Sequence, residues 1–334
     1  MVRYITFILF FALFCGKTSA QDTQFSQFFT APVYMNPAMI GFSEAPRLSV
    51  NFRDHLPSFS NQFITAAIAY DQHFHSLNSS FGLNLTTDFS GSLMNTYYLN
   101  GNFAYNLPLG SGMNFKAGFQ FGIIQQSLNV ENIVFGDMIN PNSVTTNFDL
   151  PTDEYPLITT SNTKVDLGTG FVLYNEGFYA GASFKHLTQP SFDYTNNNDS
   201  DNKLSILSSV HIGKAFYLND PLFEKDRWSV VPNLLVALQG DYKQINGGAY
   251  IGYGYIFGGI WLRHTIKNAD ALITMIGFKK GVFRVGYSYD FDMGKVASSA
   301  GAHEVSLTFD MGNDPSNKRK VRLRNQIDCP NMFR

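Results

Sequence analysis

Between residues 113 and 123 the side chains alternate strictly. Met113, Phe115, Ala117, Phe119, Phe121 and Ile123 interleave with Asn114, Lys116, Gly118, Gln120 and Gly122. Successive side chains of a strand point to opposite faces, so this is one oily and one small or polar face of a β-strand, not a helix. The preceding segment repeats it, with Tyr97, Leu99, Phe103, Tyr105 and Leu107 set against Thr96, Asn100, Asn102 and Asn106. Further on, Phe283, Val285, Tyr287, Tyr289 and Phe291 oppose Arg284, Gly286, Ser288 and Asp290. Val305, Leu307, Phe309 and Met311 oppose Glu304, Ser306, Thr308 and Asp310. Reading the whole chain this way predicts about 14 strands, at roughly 46–55, 60–72, 78–88, 93–108, 112–129, 164–175, 177–188, 203–218, 227–240, 245–254, 256–267, 271–279, 282–291 and 301–311, an even number as in single-chain bacterial barrels.

A soluble sandwich alternates too. Two features favour lipid around the oily face. The strands run to roughly 10–16 residues, beyond the ~5–6 of globular sheets and long enough to cross a bilayer at a tilt. The polar face also carries ionisable groups on strand after strand, Lys116, Arg284 and Glu304 among them, which suits a polar lumen and not a dry core. The connections agree. If the N-terminus is periplasmic, the long loops 129–163, 188–202 and 291–301 face outward and most inward turns are tight; the turn 219–226 is the exception. The fold class expected is all-β, a transmembrane antiparallel β-barrel of the bacterial outer membrane.

Composition sharpens this. The chain of 334 residues is 15% charged, with 32 Phe and 17 Tyr against 2 Trp. Residues 1–20 read as a cleaved secretory signal: Arg3, a short apolar core over residues 5–14, then Thr18-Ser19-Ala20 before Gln21. Loss of Arg3 and Lys17 takes the net charge from -2 to -4. No basic field argues for nucleic acid. Only Cys329 then remains, which excludes an internal disulfide and a cysteine-based metal site. No apolar run is long enough for a helical span. The domains expected are the signal 1–20, an extended N-terminal arm 21–45 outside the barrel, the barrel 46–311 and a basic periplasmic tail 312–334.

Candidate chemistry is sparse. There is no Gly-x-Ser-x-Gly elbow, phosphate loop or Cys-x-x-Cys, and neither a cofactor nor a resident metal is expected. His73 and His75 would share one side of a strand but lack a third ligand. Residues 196–201 lack the central Gly and terminal Glu of a calcium loop. His186, before Thr188-Gln189-Pro190, reads as a turn at a barrel rim. Lys116, Arg284 and Glu304 are lumen candidates; Glu304, with Arg284 and Arg263, would hold a plugged lumen. Loops on a rigid scaffold commonly bind partners. That makes Phe135, Asp137, Phe148 and Tyr155, then Phe192 and Tyr194, the candidate contacts outside, with Lys318, Arg319 and Lys320 as a periplasmic docking strip for an acidic partner.

An ordered set of motifs runs through the mature chain: Gln24-Phe25-Ser26-Gln27-Phe28, Tyr34-Met35-Asn36-Pro37-Ala38, Gly41, Asn51-Phe52-Arg53-Asp54, Ala69-Tyr70-Asp71, Phe135-Gly136-Asp137 and Lys185-His186-Leu187-Thr188-Gln189-Pro190. Gly259-Ile260-Trp261-Leu262-Arg263, Gly286-Tyr287-Ser288-Tyr289-Asp290, His303-Glu304-Val305-Ser306-Leu307 and Cys329-Pro330 follow. Together they resemble the PorP/SprF family, outer-membrane proteins of the type IX secretion system. His55-Leu56 departs from the Gln-Trp that often follows Arg-Asp in the family, and residues 331–334 extend past its usual ending. The resemblance implies a non-enzymatic part in export. The partner would be a secreted cargo, typically a large gliding adhesin, held through its C-terminal domain, and periplasmic type IX components would be further partners. A core machinery subunit, a porin for small solutes and an outer-membrane hydrolase are the alternatives.

Overall fold

In a computed structural model the alternating segments close into a barrel of 14 antiparallel strands. The structure describes residues 22–43, 45–55, 57, 63–91, 93–129, 139–140, 145–146, 160–192, 194, 203–218, 228–266, 270–293 and 301–311. The strands are β1 (Arg47–Asp54), β2 (Phe63–Phe74), β3 (Ser79–Ser90), β4 (Met94–Gly110), β5 (Met113–Leu128), β6 (Ser161–Tyr174) and β7 (Phe178–Lys185). Then come β8 (Leu207–Lys214, resumed as Phe216–Leu218), β9 (Trp228–Gln239), β10 (Tyr242–Tyr253), β11 (Ile256–Thr265), β12 (Ala271–Lys280), β13 (Phe283–Asp292) and β14 (Ala302–Asp310). Each pairs with its neighbour in sequence, and β1 pairs with β14 from Arg47↔Asp310 to Asp54↔His303, so the sheet closes on itself. A closed sheet satisfies every mid-membrane backbone group internally, as lipid requires.

The oily face points outward. Phe81, Leu83 and Leu85 on β3, Phe119, Phe121 and Ile123 on β5 and Val285 and Tyr287 on β13 are all exposed, with nothing but the bilayer to cover them. The opposite positions, Asn84, Thr86, Asn100, Asn102, Lys116 and Gln120, are buried inside the wall. One rim carries the connections 75–78, 111–112, 175–177, 254–255 and 281–282, together with 219–227; the other carries the short 91–93, 240–241 and 266–270 and the longer 55–62, 129–160, 186–206 and 293–301. The rim opposite the long loops is therefore the periplasmic one.

What buries the inner face is the chain's own N-terminal segment, and here one expectation is corrected. Residues 21–45 do not form an arm outside the barrel: from Asp22 to Ser43 the segment lies inside it, with Phe25, Phe28, Phe29, Val33, Ala38, Met39, Ile40 and Phe42 buried. The physical reason is the composition of those residues. Such apolar side chains are more stable against Tyr174, Tyr179, Trp261, Ile273 and Met275 of the inner wall than in water. The segment folds as two short turns, an α-turn at Pro32–Met35 and a 3-10 turn at Pro37–Met39, each opened by a proline that needs no amide partner there. Asn36 joins them, its side chain accepting from Ala38 N at 2.8 Å.

Candidate functional site

The filled lumen is organised in three tiers. Near the outer rim, Arg53 of β1 donates to Asp290 of β13 (2.7 Å) and Glu304 of β14 (3.0 Å), and Arg263 of β11 donates to Asp290 (2.7 Å). The two Glu304 oxygens also take the backbone amides of Ser26 (2.7 Å) and Gln27 (3.0 Å), while Ser26 Oγ donates to Asp290 (2.6 Å). Gln27 bonds Ser288 and the Glu304 carbonyl and accepts from Ser306. Two arginines and two carboxylates thus neutralise one another while gripping the plug backbone. Removing one partner of such a buried set leaves an uncompensated charge, a loss of about 3–5 kcal/mol. Arg53→Met is accordingly expected to lower the urea midpoint of the detergent-solubilised barrel clearly, whereas an exposed lipid-face change such as Leu83→Ile shifts it little.

At the waist the plug backbone touches the wall. Gly118 of β5 pairs with Gly170 of β6. A Cβ on Gly118 would come within 2.4 Å of Ala38 N, and one on Gly170 within 2.0 Å of Asn36 Oδ1. This paired gap receives Asn36-Pro37-Ala38. Asn36 Nδ2 also lies 3.1 Å from Ala182 O and 2.9 Å from His211 Nε2. Lys185 donates to Tyr34 O and stands over the Tyr34 ring, Ser183 donates to Met35 O (3.0 Å), and Phe29 stacks on Tyr250 and Trp261 at 5.3 Å each.

Towards the periplasm, Asp71 of β2 accepts from Gly41 N and from both Nε (2.9 Å) and Nη2 (3.0 Å) of Arg47. Gly41 adopts φ +64, and a Cβ there would meet Ser80 Oγ at 2.4 Å, so only glycine makes this turn. Lys116 donates to Ile40 O and to Ser80 Oγ (2.9 Å), and Ser43 donates to Asp310 (2.6 Å) where the plug leaves the lumen.

The first described residues of the plug lie at the outer rim. Asp22 N donates to Gln239 at the end of β9 (2.9 Å), and Thr23 donates to Asp88 at the end of β3 (2.7 Å). The Asp22 carboxylate meets His186 Nε2, while His186 Nδ1 lies 2.9 Å from Asp166. His186 is 2% exposed. Burial opposes its charge, but the flanking Asp22 and Asp166 outweigh that and raise its pKa to about 9. A pKa raised from 6.5 means that the contact stabilises fully below pH ~6.5 and is lost as pH rises through about 9. Protease access to the plug's first residues is therefore expected to rise across that window, and His186→Gln should abolish the pH dependence.

Above this end lies a surface-facing cup of about 470 Å³, lined by Asp22, Thr23, Gln24, Arg53, His55, Phe63, Asp88, Tyr242, Gln244 and Arg263 among others. To one side Phe192 is 6% exposed against Ile124 and Leu204, with Tyr98 and Tyr194 beside it, and Tyr194 donates to Gln126 (2.9 Å).

Of the residues singled out in the sequence, Lys116 and Glu304 sit inside the wall at 1% and 0% exposure, and Arg284 is an inward position, half-buried. Glu304 is gripped by Arg53. Phe192 and Tyr194 pack down onto the wall instead of standing free. Phe135, Asp137, Phe148, Tyr155, Lys318, Arg319 and Lys320 lie outside the described residues, as does 196–201. His73 is buried and bonds Ser80, its ring 4.8 Å from that of His75. Among the described residues no cluster of three or more metal-ligating side chains occurs. Arg53 and Asp71 enter only through motifs, and Asp290 through a motif and as a polar-face position, none with an assigned role; their inward position on charged, alternating strands was the available signal.

The motifs set out above therefore meet in space. Gln24 to Gln27 meets Arg53, Arg263, Asp290 and Glu304; Asn36-Pro37-Ala38 and Gly41 meet the waist and Asp71; Lys185-His186 meets Tyr34 and Asp22. Among solved structures, an outer membrane protein of Acinetobacter baumannii, Omp33, is similar at 7% identity and a TM-score of 0.46, covering 81% of this chain and 99% of that one. A Pseudomonas aeruginosa FadL homologue follows at 10% identity and 0.42, with 84% and 94% covered. No curated protein matches the chain. The family model described as type IX secretion system membrane protein PorP/SprF matches residues 17–309, and the chain belongs to that family of outer-membrane barrels.

Proposed function

We propose that this barrel is a non-enzymatic partner of exported type IX cargo, supporting its secretion and holding it at the cell surface through the cargo's C-terminal domain, with a large gliding adhesin as the cargo. The observation that carries this reading is the self-plugged lumen. A segment that runs through the interior from Asp22 at one rim to Ser43 at the other stands in the path of a solute, which speaks against a diffusion porin. What remains for function is a rigid scaffold presenting loops. In this reading Phe135, Asp137, Phe148 and Tyr155 supply the contacts in the long outer loop, Phe192 and Tyr194 brace the neighbouring one, and Lys318 to Lys320 meet an acidic periplasmic component of the machinery.

The test is a clean deletion of the gene. Surface proteins are quantified in cells and in medium, with the tagged barrel pulled from membranes alongside. The reading expects one or a few exported proteins to leave the surface while other type IX substrates still arrive. Loss of all type IX export would point instead to a core machinery subunit, and unchanged retention of every surface protein would refute the anchor.

A further inference from the structure

The surface-facing cup has a chemistry that the plug does not use up. Its floor is the plug's own first described residues, Asp22, Thr23 and Gln24, and its walls are the outer ends of β1, β2, β3, β10, β11, β13 and β14. Its volume, about 470 Å³, falls within the ~300–1,000 Å³ of ligand sites. Two amide groups in its lining lack partners. Gln244 is 2% exposed; its oxygen accepts from Tyr242, while its Nε2 donor has no hydrogen bond. Gln24, opposite in sense, has its Oε1 acceptor unpaired. Buried polar atoms are rarely left so, because each costs about 1–3 kcal/mol when unsatisfied. Around them stand the Asp88 carboxylate, the Arg263 guanidinium, the His55 imidazole, held neutral by burial and by the Arg53 and Arg263 charges, and the rings of Phe63 and Tyr242.

We infer that this cup is a docking site for an extended polypeptide segment of an exported partner. The inference rests on the anchoring function proposed above and names where the anchor would take hold. Both atoms are enclosed in the free barrel, so an occupant is met by rotation of the two amides; a donor and an acceptor so turned are the complement of a peptide unit, which offers one carbonyl and one amide per residue. Side chains of both charge signs and an aromatic shelf supply the pockets that accompany main-chain recognition. The floor argues against the rival of a transported solute, because behind Gln24 the Ser26 and Gln27 amides are bonded to Glu304 and tie the plug to the wall. A polypeptide bound there is retained, and a secretion system delivers polypeptides to this side of the membrane.

The experiment uses the full-length protein in its native cells. Gln244→Leu removes the vacant donor at nearly constant volume, and Phe63→Ala removes the shelf. Surface proteins are partitioned between cells and medium, with heat-modifiability reporting the folded barrel. The expected result is at least a tenfold fall in the retained fraction of the barrel's cargo with folded barrel unchanged. Full retention in both variants, where gene deletion releases the cargo, overturns the cup while leaving the anchoring function intact. Retention in the deletion strain itself overturns the anchoring function first. Should either variant misfold, a photo-crosslinking residue at position 63 in an otherwise unchanged barrel decides. Adducts mapping to one contiguous stretch of the released cargo support the site. Adducts confined to this chain's own loops, or consisting of carbohydrate, overturn it.

Discussion

Deleting residues 22–43 while keeping the leader and Pro46 is expected to convert a silent barrel into a conducting one. Reconstituted in planar bilayers, the intact protein should pass no current of porin size, and the truncated one should. The segment occupies the lumen at every tier, through Ser26 and Gln27 on Glu304, through Asn36 in the Gly118–Gly170 gap, and through Gly41 on Asp71. Nothing about the wall requires it for closure, since β1 and β14 register over eight residue pairs without it. Taken away, it exposes Arg53, Asp71, Lys116, Asp290 and Glu304 to water, which ions can cross. A 14-stranded barrel lies between the ~8-stranded barrels that side chains fill and the ~16–18-stranded porins with aqueous channels, so a self-supplied plug decides which kind this one is. The truncated barrel should also unfold more readily, having lost the burial of Phe28, Phe29, Met39, Ile40 and Phe42. Current through the intact barrel would show that the plug does not seal. Silence from the truncated one would show that some other segment occludes.

The wall was legible in the sequence because each strand meets two different media. Met113 to Ile123 must put its odd positions in lipid, and a slip of one residue would put Lys116 there instead. Where local chemistry breaks that rule, boundaries moved. A strand expected to run to residue 188 stops at Lys185 because His186 takes φ 57 and turns inward to Asp22. One expected over 203–218 begins only at Leu207 and is interrupted at Ala215. The plug was not legible as a plug. Gln24-Phe25-Ser26-Gln27-Phe28-Phe29 has neither period two nor period 3.6, since it packs against a curved interior on all sides, and an aperiodic stretch reads as an arm. Its partners are scattered from Arg53 to Glu304, a separation that no local pattern reports. The inner charges held the missing clue. Arg53, Asp71, Lys116, Asp290 and Glu304 all fall on inward positions, and opposite charges so placed satisfy one another or something threaded between them.

The direction of the plug leads to the second large effect: the chain just before Asp22 should be displayed at the cell surface although β1 begins at the periplasmic rim. Asp22 is held by His186 and Gln239, and Thr23 by Asp88, all at the rim of the long loops, whereas Ser43 is held by Asp310 at the opposite one. The chain therefore crosses the membrane inside its own barrel before building it. A short epitope inserted after Gln21 is expected to bind antibody on intact cells as strongly as one in the 129–160 loop. The same epitope in the 281–282 turn should stay dark until the outer membrane is permeabilised. At the waist this thread is held closely, since a Cβ on either Gly118 or Gly170 would strike it. An amino-terminal epitope seen only after permeabilisation would reverse the direction of the thread, and with it the contacts of Asp22 and Thr23 that define the floor of the cup.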